Sequence, residues 1–396
     1  MPGPSMSSQP ALDTANKNLR DGVNRCAKCG STEVRLRPGS GRLVCLYCRF
    51  EWDEERVEEA FGLGQGIQDL RGTVVASGAK DIAAGTDEVL TLKCGGCGAE
   101  VVIDTGHRLN ARCHWCRHVL SVNDQLPNGA VPDAVLPFQL THAQAVEKIR
   151  AFAAGRRLFA HARFKAEFVP ENVVGVYMPY MVVDGSASAE LRGQGEVQTA
   201  RYTRGNDKEK QTYYDADVYQ VGRKLDFTVD DLALESSAER ARFDPRANTN
   251  NIINTILPFD TKNAVRWNAS YLAGFTSEKR DQDVAALQPA LEQQLLSIAR
   301  AQVRPSIARY DRGVRWEQEK LDVHGTRWVS MVLPVWLYSY YHVEGGRGMV
   351  HYIAVNARTG ETMGSIPIAR GKLLLAALTV GTILESIAIA ILMASS

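Results

Sequence analysis

Neither sign of charge is in surplus: Lys plus Arg number 46 and Asp plus Glu 45, a net of +1 over 396 residues. Global electrostatics therefore supplies no drive toward nucleic acid or an anionic membrane, and any such contact has to be local. Met1 to Ser8 lack the charged and apolar regions of a secretory signal. Cysteine is absent after Cys116, so the larger part of the chain holds neither a disulfide nor a catalytic thiol. No GxGxxG, Walker, GxSxG or HExxH string occurs, and the histidines are scattered, which leaves no catalytic constellation and predicts a non-enzyme. Residues 1–22 have few apolar side chains and many Pro, Ser, Asn and Gln, the composition of a disordered terminus. The rest can bury a core, since 45% of the chain is hydrophobic and 23% charged, and the length suits two to three folding units.

All eight cysteines that are present fall into Cys-x2-Cys pairs. Cys26 and Cys29 are followed by Cys45 and Cys48, and Cys94 and Cys97 by Cys113 and Cys116, with fifteen residues between the inner cysteines each time. Such a knuckle aims two thiolates at one ion, and two knuckles complete the tetrahedron that zinc accepts. Gly30 and Gly98 follow the second cysteine of each first knuckle, where positive φ turns a backbone N–H toward sulfur. Between the knuckles, Glu33–Arg37 with Gly41–Val44, and Ala99–Asp104 with Leu109–Arg112, read as hairpins. The expectation is two structural zinc ribbons, each holding one Zn on four cysteines, in preference to a disulfide framework or rubredoxin-like iron. With four sulfurs at each site, His107, His114 and His118 are expected at the surface or beside the ligating sulfurs.

The first ribbon carries Arg25, Lys28, Arg35, Arg37, Arg42 and Arg49 against Glu33, which leaves +3 after the −2 of a tetrathiolate zinc centre. Arg35, Arg37 and Arg42 are its candidate phosphate contacts. An acidic run from Glu51 to Glu59 follows at once, the second ribbon is neutral with its metal, and neither has a row of stacking aromatics. Nucleic-acid binding is the alternative reading, behind protein–protein interaction.

Leu373 to Ala394 is apolar apart from Glu385 and, as a helix, spans roughly 33 Å, enough to cross a bilayer. With Arg370 and Lys372 on its N-terminal side, the positive-inside rule predicts a single-pass, tail-anchored cell-membrane protein with its body in the cytoplasm. Glu385, costly inside a membrane, is expected to be protonated or shielded. Ala376, Ala377, Gly381 and Ala388 would permit close helix contact and hence oligomerisation.

The predicted fold class is α+β. It comprises a disordered 1–22, a ribbon over 23–52, an acidic helical connector over 53–90, a second ribbon over 91–122, an antiparallel-sheet body over 134–369 and a transmembrane helix over 372–394. In the body, Thr141-x-x-Gln144 is a capping box that opens a helix to about Ala154. Val173–Val183, Ser186–Arg192, Glu196–Thr203 and Gln211–Val229 alternate like strands with glycine turns between them. Asp230–Ala241, Asn250–Leu257 and Glu278–Val303 read as helices, and Val314–Val323, Trp328–Val343, Met349–Val355 and Thr362–Ile366 as strands. The proline-bearing segments around Pro179 and Pro334 form a weak repeat that suits edge strands or bulges.

Cys94-Gly-Gly-Cys97, Ala111-Arg-Cys113-His-Trp-Cys116, Tyr271-Leu-Ala-Gly-Phe275, Leu333-Pro-Val-Trp336 and Val355-Asn-Ala-Arg-Thr-Gly360 occur in that order before Ile366-Pro367 and the terminal span. From about Leu70 to Lys372 this series resembles the bacterial TFIIB-type zinc-ribbon membrane proteins, often labelled primosomal-protein-N′-like. With that helicase the sequence shares only cysteine pairs. The resemblance implies a membrane adaptor, some relatives being linked to phage-shock-protein-A-type envelope-stress proteins. This sequence differs in carrying two ribbons and a single terminal span.

Overall fold

The computed structural model describes residues 25–76, 89–94, 100–104, 112–115, 117, 119–120, 125–126, 132–156, 160–161, 164, 168–204, 211–237, 256–344 and 347–394. Strands β1 (Val34–Arg37), β2 (Arg42–Cys45) and β3 (Glu51–Trp52) form one small antiparallel sheet, and helix α1 (Val57–Phe61) follows. The remaining strands make one twelve-stranded mixed sheet: β4 (Gly72–Val75), β5 (Val89–Lys93), β6 (Glu100–Asp104), β7 (Gln125–Leu126), β8 (Ala134–Val135), β9 (Val173–Arg204), β10 (Gln211–Glu235), β11 (Val265–Arg266), β12 (Thr276–Glu278), β13 (Val314–Glu344), β14 (Arg347–Asn356) and β15 (Thr362–Gly364). Helices α2 (His142–Gly155), α3 (Val284–Val303) and α4 (Arg370–Ala394) complete an α+β protein.

The sheet is organised about one contact, Met178 of β9 opposite Leu333 of β13, and an approximate twofold runs through it. Thr276 and Ser277 pair in parallel with Val176 and Tyr177 on one side, as Ala134 and Val135 do with Met331 and Val332 on the other. Ser236 donates its N–H to the Pro179 carbonyl at 3.1 Å, and Ala357 donates to Pro334 at 3.1 Å. Asp281 and Gln282 close on the Ser236 carbonyl, as Gln139 and Leu140 close on Ala357. The order β8-α2-β9-β10 is thus repeated as β12-α3-β13-β14.

Both helices begin as local chemistry dictates. The Thr141 hydroxyl accepts from the Gln144 N–H while the Gln144 amide oxygen accepts from the Thr141 N–H, a reciprocal cap on α2. The Asp283 carboxylate caps α3 by accepting from the Ala286 N–H at 2.9 Å. α3 starts there because Asp281 and Gln282 are held on Ser236, six residues later than the 278 boundary that periodicity suggests. Its buried stripe, Leu287, Leu291, Leu295, Ala299 and Val303, packs with Met181, Val183, Phe227, Val229 and Trp328 of the sheet. Each large apolar side chain so buried contributes about 1.5–3 kcal/mol.

Several expectations are corrected. The glycines between the predicted short strands are not turns, because β9 runs unbroken for 32 residues and β13 for 31. They mark close approaches instead: a Cβ on Gly193 would lie 2.8 Å from the Trp316 Cα, one on Gly195 2.6 Å from the Tyr310 ring, and one on Gly325 2.5 Å from the Arg71 backbone nitrogen.

Pro179 and Pro334 are central, not at edges. Each lies where one flank of its strand changes neighbour, from β12 to β10 beside β9 and from β8 to β14 beside β13. Their carbonyls face that flank, and so do their ring nitrogens, so the missing donor falls at a junction of the ladder. Asp230–Glu235 is strand, not helix: after a bulge Leu232–Glu235 pair with Tyr180–Val183, and pairing overrides the helix propensity of Leu, Ala and Glu. Among its described residues the connector is helical only over Val57–Phe61 and a 3-10 turn at Ile67–Asp69, and its Gly72–Val75 joins β13 in parallel. The N-terminal 1–22 and most of the 250–257 helix lie outside the described residues.

Candidate metal centre

The first knuckles close on backbone hydrogen bonds before any metal is considered. Gly30, at φ 75°, donates to the Cys26 carbonyl at 2.8 Å, and Arg49, at φ 61°, donates to the Cys45 carbonyl at 3.0 Å. The β1–β2 hairpin, with Val34 opposite Cys45 and Arg37 opposite Arg42, brings the two knuckles together. The four sulfurs of Cys26, Cys29, Cys45 and Cys48 lie within 4.8 Å of one another, with Cys26–Cys48 and Cys29–Cys45 both at 3.6 Å. A tetrahedral ion with bonds of about 2.3 Å to sulfur separates its ligands by about 3.8 Å, so the donor set fits a tetrathiolate metal site.

The thiols are electrostatically uneven. Burial opposes ionisation of Cys45, but the N–H groups of Cys48 and Tyr47 and the thiols of Cys29 and Cys48 outweigh it and bring its pKa to about 6. At Cys29 a backbone hydrogen bond from Ser31 favours ionisation, yet desolvation and the three neighbouring thiols prevail and push it to about 12. One sulfur ionises readily and another resists, because four thiolates this close repel unless a cation sits among them.

The centre is fixed to the body. Val34, Leu36, Leu43 and Cys45 share a core cluster with Ile149 of α2 and Tyr271, and the β1–β2 turn sits against Pro137 and Thr141. Asn268 donates its amide to the Glu54 carboxylate at 2.9 Å, and the backbones of Arg266 and Val57 bond to Glu55 and Ala264.

Of the predicted phosphate contacts, Arg37 is paired with Glu51 and Arg42 with Asp53, the latter at 3.2 Å, while Arg35 is exposed. The acidic run that follows the ribbon folds back on its own arginines.

The second knuckle pair is described at Cys94, Cys113 and part of the loop; Cys97, Cys116, His107 and His118 lie outside the described residues. Cys94 and Cys113 are both buried. Arg117, at φ 65°, donates to the Cys113 carbonyl at 2.9 Å, the closure seen at Arg49. His114, expected at the surface or beside the sulfurs, is 1% exposed, with its ring 3.4 Å from the Glu278 carboxylate and 3.4 Å from the Thr276 hydroxyl. Trp115 donates to the same carboxylate and meets Tyr352 edge-on. The spacing identifies the knuckle, but nothing in the sequence ties it to Glu278, 164 residues away.

A carboxylate cluster escaped sequence reasoning. Asp184, Asp230 and Asp231 bring oxygens within 4.8 Å of one another. Asp184 accepts from the N–H groups of Gly64 and Asp231 and faces Arg327 at 3.8 Å, so it holds the 62–65 loop against the sheet. Burial raises the pKa of Asp184 and of Asp231 above the usual carboxylate range.

Glu385 lies on α4 and is exposed, as are Leu374, Leu375, Leu378, Ile383 and Ile391. The 25-residue helix is long and apolar enough to span a membrane, and none of its apolar window is buried against the body.

No family model and no solved structure matches the chain. The uncharacterized protein YdjG of Bacillus subtilis strain 168 is 22% identical over 249 residues, which are 63% of this chain and 67% of YdjG.

Proposed function

We propose that the chain is a non-enzymatic, membrane-anchored adaptor whose two structural zinc ribbons present a protein-docking surface beside the bilayer. The observation that carries it is the closed four-sulfur centre fixed to a body that continues into an unburied apolar helix. Four sulfurs around one point leave a tetrahedral ion no open position, which suits scaffolding and not catalysis. Cys26, Cys29, Cys45 and Cys48 would hold one zinc, and Cys94, Cys97, Cys113 and Cys116 a second.

Arg117 supports the second site. Burial depresses its guanidinium pKa, and its Nε and one terminal nitrogen have no hydrogen-bond partner among the described residues. A tetrathiolate zinc carries −2, a suitable countercharge for a buried cation.

The body is assigned to the cytoplasm, with α4 in the cell membrane and available for helix–helix association. The resemblance to TFIIB-type zinc-ribbon membrane proteins makes an envelope-stress protein of the phage-shock-protein-A type the first partner to test. The test is nuclease-treated affinity purification of the detergent-solubilised chain, wild type against Cys113→Ser/Cys116→Ser. The expected result is a protein partner that survives nuclease and is lost with the variant. Recovery of nucleic acid, or of proteins lost on nuclease treatment, would replace the reading with a tethered nucleic-acid binder.

A further inference from the structure

Charge that cancels over the whole chain is segregated within it. From Lys148 to Lys165 the sequence has six Lys or Arg residues and no Asp or Glu. The nearest acids are Glu147 before the run and Glu167 and Glu171 after it.

The fold fastens Ala160 and His161 of this run to the root of α4. Ala160 forms a β-bridge with Ile368, and His161 donates its N–H to the Pro367 carbonyl at 2.9 Å. The Arg156 carbonyl accepts from the Ala160 N–H at 3.2 Å, which holds Arg156 within a turn of that bridge. Its exposed guanidinium lies on the Phe152 ring at 3.6 Å. Ile368 is 50% exposed although apolar, and α4 begins at Arg370, so the bridge lies at most about 7 Å of chain from the helix. The polar layer on each side of the hydrocarbon is about 5–8 Å deep. Lys372, in the first turn of α4, is also exposed.

We infer that Arg156 and Lys372, flanking the Ala160–Ile368 bridge, form a contact surface for the phosphate headgroups of an anionic leaflet. The inference rests on the reading of α4 as membrane-spanning. If α4 crosses the bilayer with its apolar run from Leu373, chain length keeps the bridge within about 12 Å of the hydrocarbon, at the headgroup layer or its outer edge. There cations gain from negative surface potential, by about a fivefold preference each.

The full chain is to be reconstituted in nanodiscs of equimolar phosphatidylcholine and phosphatidylglycerol, and the lipid retained after mild detergent extraction counted by native mass spectrometry. Wild type should retain phosphatidylglycerol preferentially and lose the preference in high salt, with Arg156→Gln/Lys372→Gln reducing it by up to about 25-fold. Arg156→Lys should keep it, and zinc content equal to wild type should show that both variants are folded. No preference in wild type, or one the double variant leaves intact, overturns the inference. So does a labelled oligonucleotide that binds in neutral nanodiscs and depends on the same two residues. Alkaline carbonate extraction separates the two claims: a chain washed off the bilayer removes the membrane-anchor reading itself, whereas one that stays without lipid preference removes only this surface.

Discussion

Arg117 donates its backbone N–H to the carbonyl of Cys113 with φ at 65°, and Arg49 does the same to Cys45 with φ at 61°. Both follow the last cysteine of a knuckle, and both take a left-handed conformation that costs a side-chain-bearing residue about 1–2 kcal/mol. Arg49→Gly should therefore slow zinc release to a chelator several-fold, and Arg49→Val should hasten it. A glycine variant that releases zinc faster than wild type would show that the guanidinium matters more than the backbone.

Two zinc ions per chain are expected by elemental analysis. Cys45→Ser should lose one of them and, because Leu36 and Leu43 share a core with Ile149, should also lower the unfolding midpoint of the body. An unchanged midpoint with one zinc lost would mean that the ribbon is docked without stabilising what it touches.

The long strands make opposite forecasts for two glycines. Gly193→Ala places a methyl group against the Arg315 carbonyl and 2.8 Å from the Trp316 Cα, where neither backbone can yield, and should cost about 1–3 kcal/mol. Gly222→Ala meets nothing within 4 Å and should be neutral or stabilise by up to about 1 kcal/mol through the unfolded chain. Denaturant melts of both variants decide the matter; equal midpoints would contradict the packing described for β9 and β13.

The Asp184–Asp231 cluster fixes a sign for pH dependence. Burial raises both carboxyls, an effect that the Asp184 bonds from Asp231 and Gly64 and the Asp231 bond from Thr261 only partly offset. A raised folded pKa contributes stability fully below the unfolded value of about 4 and loses it as pH rises through the folded one. Asp231→Asn keeps the left-handed φ of 55° accessible and removes a buried charge. It should raise the unfolding midpoint at neutral pH, with the advantage shrinking on acidification. A gap that widens toward acid would reverse the argument.

Arg358 forms a two-point ion pair with Asp260, at 2.7 and 2.6 Å, two residues after Asn356, whose amide donates to Ile256 and Pro258. Lysine cannot reproduce that fork, so Arg358→Lys should destabilise by about 1–3 kcal/mol and release the 256–260 segment to hydrogen exchange first. Uniform exchange across the body would count against the contact.

Local chemistry was legible in the amino-acid sequence. The cysteine spacing, the Thr141–Gln144 cap and the apolar run of α4 each depend on residues within a few positions of one another, where covalent geometry and solvent transfer decide the outcome. Tertiary structure alone decided the rest. A glycine at a turn and one pressed against a neighbouring strand look the same until the neighbour is known, which is why β9 read as three strands. Pro179 and Pro334 are admissible in central strands only because the ladder changes partner there. The pairing of Arg37 with Glu51 and Arg42 with Asp53, the burial of His114 on Glu278 and the bridge from Ala160 to Ile368 join residues that no local rule connects. Such contacts are set by packing and charge in three dimensions, to which periodicity and spacing along one dimension are blind.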